Sequence, residues 1–181
     1  PVPAAAANAP EAASAIESSV SEKQAAFIRQ HQDDARQAAA QSGIPGAFLV
    51  AQAAHESAWG RHEIRNDDGS TSHNLFGIKA GPGWTGSVAE VTTTEYVDGA
   101  PQKVTAKFRA YPSYAASFQD YARMMKESPR YAGVMAQVSV APTPQSFAQG
   151  LQRAGYATDP AYADKLTRVI NTTLRMQRAM T

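Results

Sequence analysis

The stretch AQAAHESAWG, residues 51–60, is mostly small and apolar, as in a protein interior, yet it carries Glu56 near its centre. Helical spacing places four residues on one face: Leu49, Gln52, Ala53 and Glu56. A carboxyl group in such surroundings loses hydration, which disfavours its charged form and raises its pKa. Glu56 could then deliver a proton to a leaving oxygen near neutral pH. The alternative, from position alone, is a structural Glu56 bonded to an arginine or a backbone N–H group.

Enzymes that cleave glycosidic bonds usually need two carboxyl groups, one as acid and one to activate water or stabilise the oxocarbenium ion. Glu95, in VTTTEYV at residues 91–97, is the second candidate. Strand alternation places it on one face with Val91, Thr93 and Val97, so it could point into a cleft. The alternative is a strand residue that faces solvent, the usual position of glutamate.

The chain around these residues indicates an α+β fold. Residues 1–20 are rich in alanine and proline and predict a disordered linker, followed by one domain at 21–181. Ser21 with Gln24 predicts the first helix start, and Gly43 predicts its end. Residues 87–97 and 103–111 predict a β hairpin with a turn at Asp98-Gly99. Three further helices are predicted to start at Ser113, Thr143 and Asp159.

Composition excludes several kinds of site. The 181 residues include no cysteine, which rules out disulfides, thiolate metal sites and a cysteine nucleophile. A net charge of +1 and the absence of a long apolar run give no reason to expect a nucleic acid or membrane partner. A zinc hydrolase is disfavoured, because Trp59 stands where an H-E-x-x-H motif starting at His55 needs its second histidine. We expect no cofactor and a monomer.

Three motifs together resemble one known family. AQAAHESAWG, NLFGIKA (residues 74–80) and GYATDPAYADKL (residues 155–166) resemble the bacterial peptidoglycan hydrolases of glycoside hydrolase family seventy-three, over about residues 21–175. The resemblance implies a lysozyme-like fold with a mostly helical α lobe, a small β-hairpin lobe and a glycan-binding cleft between them. It assigns the catalytic acid to Glu56, the second carboxylate to Glu95 and a functional tyrosine to Tyr156. The family usually has an apolar residue in place of His55 and often glycine in place of Ala58.

The implied activity is hydrolysis of a β-1,4 glycosidic bond in peptidoglycan glycan strands, with N-acetylglucosaminidase expected and muramidase as the alternative. The Ala/Pro-rich start is similar to the linker that follows a rod-associated N-terminal domain in flagellar members. Periplasmic location, contact with flagellar rod proteins through such a domain, and opening of the cell wall for rod assembly are the corresponding expectations. Two other functions remain open, a lytic transglycosylase and a non-catalytic peptidoglycan-binding module.

Further residues are candidates for substrate binding: Gln52, Asn74, Phe76, Gly77, Trp84 and Tyr111. Asn74 could bind an acetamido group, or instead form a turn with its own backbone. Phe76 could form a cleft wall or anchor the fold, whereas Gly77 permits close approach of the backbone. Trp84, in the turn-rich segment before the hairpin, is the better tryptophan for stacking on a sugar ring, since Trp59 ends a helix that reads as buried.

Overall fold

The computed structural model describes residues 9–181, apart from the side chains of residues 9, 10, 95 and 96. Helices α1 (Ala9–Ser42) and α2 (Gly46–Ser57) precede the antiparallel strands β1 (Val88–Val97) and β2 (Ala100–Arg109). Then follow α3 (Tyr114–Glu127), a 3₁₀ turn (Pro129–Tyr131), α4 (Ala132–Val140), α5 (Pro144–Arg153) and α6 (Tyr162–Ala179). The predicted α+β class, helices around one hairpin, is confirmed. No helix in the described part of the chain is long and apolar enough to span a membrane.

Helix α1 begins at Ala9, so the predicted start at Ser21 is wrong. Alanine is the strongest helix former, and Glu11 in the first turn suits the helix dipole, so this segment continues the helix without tertiary support. The side chains of residues 11–23 are exposed. The structure therefore differs from the expected disordered linker over residues 9–20, and residues 1–8 lie outside the described part. The predicted end holds, since Gly43 follows α1 with a φ of +80°.

Helix α2 lies in the core between α1 and α6. Eight of its residues are buried: Phe48, Leu49, Val50, Ala51, Gln52, Ala53, Ala54 and Ser57. The helix ends in three successive left-handed residues, with φ values of 50° at Ala58, 58° at Trp59 and 82° at Gly60. The Ser57 hydroxyl accepts a hydrogen bond from the Gly60 N–H group (3.0 Å) and stabilises this ending. Glu56 therefore occupies the last turn of a buried helix, where a side chain passes from the core to the surface.

The hairpin pairs Val88 with Arg109 at its base and Val97 with Ala100 at its tip. Asp98 and Gly99 form the predicted turn with positive φ values of 51° and 78°, as a two-residue hairpin loop requires. A bridge between Lys79 and Phe108 joins the base of the hairpin to the preceding loop segment. The hairpin is thus fastened at its base, next to the loop that carries Gly77.

Three of the described helices after the hairpin, α3, α5 and α6, start close to the predicted residues, whereas α4 was not predicted. Ser113 caps α3 by accepting a hydrogen bond from the Ala116 N–H group, and Thr143 forms a capping box with Ser146. Asp159 lies three residues before α6, and its carboxylate accepts a hydrogen bond from the Ala161 N–H group (2.9 Å). The turn formed by Asp159 fixes where α6 begins and therefore where its first residue, Tyr162, points.

Candidate active site

Glu56 is a half-buried carboxyl group whose one described side-chain partner is a neutral tyrosine. Its Oε1 atom accepts a hydrogen bond from the Tyr162 hydroxyl (3.0 Å). Its Oε2 atom lies 3.6 Å from the position that a Cβ atom at Gly77 would take. Burial raises the pKa of Glu56 to about 7, and the hydrogen bond from Tyr162 opposes that rise. No described lysine, arginine or histidine forms a salt bridge with Glu56, so the ion-pair form of the structural alternative is not observed.

Tyr162 is the functional candidate that the sequence analysis missed. Its place in the apolar periodicity of α6 marks it as a core residue, and it is indeed buried. The signal that could have singled it out is its place in the GYATDPAY motif, six residues after Tyr156. The two rings stack with centroids 6.1 Å apart and planes inclined by 21°. The motif therefore supplies two tyrosines beside Glu56, rather than the one predicted.

Gln52 is fully buried, with 0% of its surface exposed, so the prediction that it contacts substrate is wrong. Its Oε1 atom accepts a hydrogen bond from the Tyr121 hydroxyl, and its Nε2 atom donates to the Tyr162 oxygen (3.4 Å). The helical spacing that placed Gln52 on the face of Glu56 was correct. Gln52 lies one helical turn before Glu56, where α2 is completely buried, so its amide forms hydrogen bonds within the core behind Glu56.

Tyr156 follows α5 at Gly155, whose φ of +75° turns the chain back over the loop that contains Gly77. The Tyr156 hydroxyl donates a hydrogen bond to the Phe76 carbonyl oxygen (2.5 Å). Burial and the nearby charge of Glu56 raise the pKa of Tyr156 well above its ordinary value, so the phenol stays neutral. With its proton engaged, the Tyr156 oxygen can only accept a further hydrogen bond, from a water molecule or a sugar hydroxyl.

A cleft of about 580 Å³ opens beside Gly77 and Tyr156. Three cationic side chains line it, those of Lys79, Arg109 and Arg130, and no aspartate or glutamate does. Arg130 donates hydrogen bonds to the carbonyl oxygens that end α5, and Arg109 forms a 2.9 Å salt bridge with Asp120. The cleft is therefore basic although the whole chain is nearly neutral, which suits a substrate that carries anionic groups.

Asn74 and Phe76 hold the loop rather than face the cleft. The Asn74 amide nitrogen donates to the carbonyl oxygens of Ile78 (2.9 Å) and Arg109 (2.8 Å), and its oxygen accepts from two N–H groups in the same loop. Asn74 thus has the turn-forming role, and its amide group is fully engaged within the protein, which contradicts the predicted contact with an acetamido group. Phe76 is fully buried and stacks on Tyr121 with centroids 4.3 Å apart, so it anchors the fold. Gly77 alone of this group remains exposed at the site.

Trp84 and Tyr111 lie together in a second cleft, of about 810 Å³, at the base of the hairpin. Their rings meet edge to face with centroids 5.6 Å apart, and the Arg109 guanidinium lies 4.8 Å from the Trp84 ring centroid. The Tyr111 hydroxyl donates to buried Asp120 (2.5 Å), so Tyr111 supports the cleft by its ring. Arg109 lines the cleft beside Gly77, so its contact with the Trp84 ring connects the walls of the two clefts.

Glu95 is paired with Gln102 in the backbone of the hairpin. Its side chain lies outside the described part of the structure, so its predicted role as second carboxylate and its distance from Glu56 stay predictions.

Comparison with known proteins identifies the family. The model of the glucosaminidase family, described as mannosyl-glycoprotein endo-beta-N-acetylglucosaminidase, matches residues 32–175. The chain belongs to the glucosaminidase family. The predicted resemblance and the lysozyme-like fold class are thereby confirmed.

Several glucosaminidase relatives are named peptidoglycan hydrolase FlgJ. The chain is 49% identical to the protein of Escherichia coli K12 over 145 residues, which are 80% of this chain and 45% of that relative. It is 49% identical to the protein of Salmonella typhimurium over 136 residues, 75% of this chain and 42% of that relative. The chain thus spans about half the length of the curated relatives it matches.

Solved structures of glucosaminidase relatives have the same fold. A C-terminally truncated glycoside hydrolase domain of Salmonella typhimurium FlgJ superposes with a TM-score of 0.70 at 45% identity, covering 84% of this chain and 98% of that one. A peptidoglycan hydrolase from Sphingomonas sp. A1 superposes with a TM-score of 0.73 at 47% identity, covering 87% of this chain and 95% of that one.

Proposed function

We propose that this chain is a peptidoglycan hydrolase that cleaves a β-1,4 glycosidic bond of the glycan backbone, with Glu56 as the general acid. The observation that carries the proposal is the position of Glu56, which is half-buried and bonded to a neutral tyrosine. Its Oε2 atom lies 3.6 Å from the position that a Cβ atom at Gly77 would take, and Gly77 lines the open cleft. The pKa of Glu56, about 7, lies close to the pH at which such an acid works best, since it is then protonated yet still able to release the proton.

In this mechanism the glycan lies in the cleft with the scissile oxygen against Glu56. Transfer of the Glu56 proton to that oxygen breaks the glycosidic bond as an oxocarbenium-like charge develops on the sugar. The carboxylate that remains keeps its hydrogen bond from Tyr162. Glu95 on the hairpin is proposed to activate the attacking water or to stabilise the sugar cation, and Tyr156 can accept a hydrogen bond from a water or hydroxyl in the cleft.

The chemistry of the cleft and the names of the relatives support peptidoglycan as substrate. Lys79, Arg109 and Arg130 provide positive charge, which suits a polymer bearing acidic stem peptides. The family description supports N-acetylglucosaminidase specificity. By analogy with the FlgJ relatives, we further propose that the protein acts as a monomer in the periplasm and opens the cell wall for assembly of the flagellar rod.

The test is digestion of purified peptidoglycan, followed by reduction and mass spectrometry of the fragments. Four proteins are compared: wild type, Glu56→Gln, Glu95→Gln and the control Glu90→Gln. Glu90 lies on the same strand as Glu95, is exposed, and forms only a 3.6 Å salt bridge with Lys107. We expect loss of at least about 1,000-fold in Glu56→Gln, a loss of about 100-fold in Glu95→Gln, and wild-type activity in the control.

The products distinguish the remaining possibilities. Fragments with reducing N-acetylglucosamine ends support the proposed specificity, whereas reducing muramic acid ends identify a muramidase. Anhydromuramic ends would identify a lytic transglycosylase and remove the need for Glu95. Full activity in Glu56→Gln would refute the assignment of the acid, and binding without cleavage by the wild type would indicate a non-catalytic module.

A further inference from the structure

Behind Glu56 runs a continuous chain of side-chain hydrogen bonds that joins three helices. Tyr121 on α3 is bonded to Gln52 on α2, Gln52 to Tyr162 on α6, and Tyr162 to Glu56 on α2. Tyr121, Gln52 and Tyr162 are buried, with exposed fractions of 2% or less. The chain therefore has one end in the core and the other at the reacting carboxyl group.

Only one direction of hydrogen-bond donation along this series leaves every buried hydroxyl proton with an acceptor. Each tyrosine hydroxyl has a single proton to donate, and an amide donates only from nitrogen. Among the described residues, Gln52 is the one hydrogen-bond partner of the Tyr121 hydroxyl. If the Gln52 nitrogen faced Tyr121, the Tyr121 proton would be buried without an acceptor, which is costly. Tyr121 must therefore donate to Gln52, which donates to the Tyr162 oxygen, and the Tyr162 proton is left for Glu56.

We propose that Tyr162 is a positioning residue that keeps Oε1 of Glu56 as a hydrogen-bond acceptor and so confines the transferable proton to Oε2. The proposal rests on the proposed function, in which Glu56 is the general acid. Oε1 accepts a hydrogen bond from the Tyr162 hydroxyl, with 3.0 Å between the two oxygens, and cannot carry a proton on the same side. Gln52 and Tyr121 act through Tyr162 by fixing the direction in which its hydroxyl donates.

Oε2 is the Glu56 oxygen that lies next to the exposed residue Gly77. The position of a Cβ atom at residue 77 would be 3.6 Å from Oε2, and that space is left free because residue 77 is glycine. Gly77 is exposed and lines the basic cleft. The proton held on Oε2 is thus on the side from which a glycosidic oxygen can approach.

The other ionisable groups near this pair have pKa values that are shifted away from that of Glu56. Tyr121 and Tyr156 remain neutral, since burial raises the pKa of both phenols well above the ordinary value. His55 contacts the Tyr162 ring edge to face at 5.3 Å, and burial followed by the charge of Lys165 lowers its pKa, while Asp159 opposes this. A pH effect above neutrality therefore reports on Glu56, and Tyr162→Phe preserves the ring that His55 contacts.

The experiment compares Tyr162→Phe with Tyr114→Phe. Tyr114 is a matched control, because its hydroxyl also donates to a carboxylate, that of Glu63 (2.5 Å), away from the basic cleft. Two quantities are measured: the pH dependence of kcat on peptidoglycan, and the pKa of Glu56 from carbon-13 titration of labelled glutamate, assigned by comparison with Glu56→Gln. The titration needs no enzymatic activity.

For Tyr162→Phe we expect the pKa of Glu56 to rise by about 0.5 to 1 unit, because the Glu56 carboxylate loses the hydrogen bond from the Tyr162 hydroxyl. The alkaline limb of the kcat profile should shift to higher pH by the same amount. We expect kcat at pH 6 to fall roughly 10-fold with KM changed less than about twofold, since the proton is no longer held on one oxygen. Tyr114→Phe should leave both the pKa and the profile unchanged.

Other outcomes overturn the proposal. A fall in the pKa of Glu56 would mean that the protonated carboxyl donates to Tyr162, and an unchanged pKa would mean that the hydrogen bond does not matter. If Tyr162→Phe does not fold, Tyr121→Phe, which frees Gln52, must raise the pKa in the same sense by a smaller amount. Activity retained in Glu56→Gln would refute the proposed function, while the titration would still decide whether Tyr162 bonds to the carboxylate.

Discussion

Replacing Glu56 with glutamine should stabilise the protein at alkaline pH and leave its stability unchanged at acid pH. Glutamine resembles the protonated carboxyl group in shape, and its oxygen can accept the same hydrogen bond from Tyr162. The wild-type carboxyl group has its pKa raised by burial from 4.5 to about 7 in the folded protein. The folded state therefore binds this proton more tightly than the unfolded state does.

The sign and size of the effect follow from linkage between proton binding and folding. The favourable contribution of protonated Glu56 is complete below pH 4.5 and is lost as the pH rises through about 7. Each unit between the two pKa values changes the free energy of unfolding by about 1.4 kcal/mol, so the loss reaches about 3 kcal/mol above pH 7. For a domain of this size that corresponds to a difference in Tm of roughly 6 to 12 °C.

The assay is urea unfolding of wild type and Glu56→Gln, followed by circular dichroism at each half unit from pH 4 to pH 8.5. Because every other titrating group is common to the two proteins, the difference between their free energies of unfolding isolates Glu56. We expect that difference to be near zero at pH 4, to grow across the window from 4.5 to 7, and then to level off. Glu90→Gln serves as the control, since an exposed salt bridge contributes little at any pH.

A difference that stays within about 0.5 kcal/mol over the whole range would refute the reasoning. It would mean that the Glu56 carboxylate is as well stabilised in the folded protein as in water, and it would remove the argument for a proton held near neutrality. A glutamine variant that is less stable at pH 8 than at pH 4, relative to wild type, would show that the carboxylate has an attractive partner.

Three further changes have definite expected results. Ala58→Gly should raise the free energy of unfolding by about 1 kcal/mol in urea titrations, because Ala58 has a φ of 50°, a conformation that is strained for alanine but not for glycine. A decrease in the free energy of unfolding would show that Ala58 is not strained. Asp120→Ala should destabilise the protein by about 3 kcal/mol, since this buried carboxylate accepts hydrogen bonds from Tyr111, Arg109 and Arg123; a loss below about 1 kcal/mol in the same assay would show that these donors find other acceptors. Lys79→Gln should raise KM roughly threefold on peptidoglycan at low salt, but not on glycan strands stripped of peptide; an equal rise on both would show that Lys79 does not contact the anionic groups.

Local patterns in the sequence predicted much of the fold and the central carboxyl group. The hairpin turn follows from Asp98-Gly99, because only such residues readily adopt two positive φ values. The caps at Ser113 and Thr143 follow from side chains that satisfy the first N–H groups of their own helices. Glu56 stood out because an ionisable residue on an apolar helical stripe is unusual whatever the tertiary structure. Each of these inferences depends on residues within a few positions of one another.

The site around Glu56 was decided by tertiary packing. Tyr162 and Glu56 are 106 positions apart, and Tyr121 and Gln52 are 69 apart. Periodicity gives the face of a helix on which a side chain lies, but it does not show which groups the other helices place against that face. Gln52 was therefore predicted to bind substrate and is part of the core, while Tyr162 was predicted to be core and also donates a hydrogen bond to Glu56. The sequence by itself determined that a carboxyl group would lie in apolar surroundings at the end of α2, and only the packing of the other helices decided that Tyr162 donates a hydrogen bond to one of its oxygens.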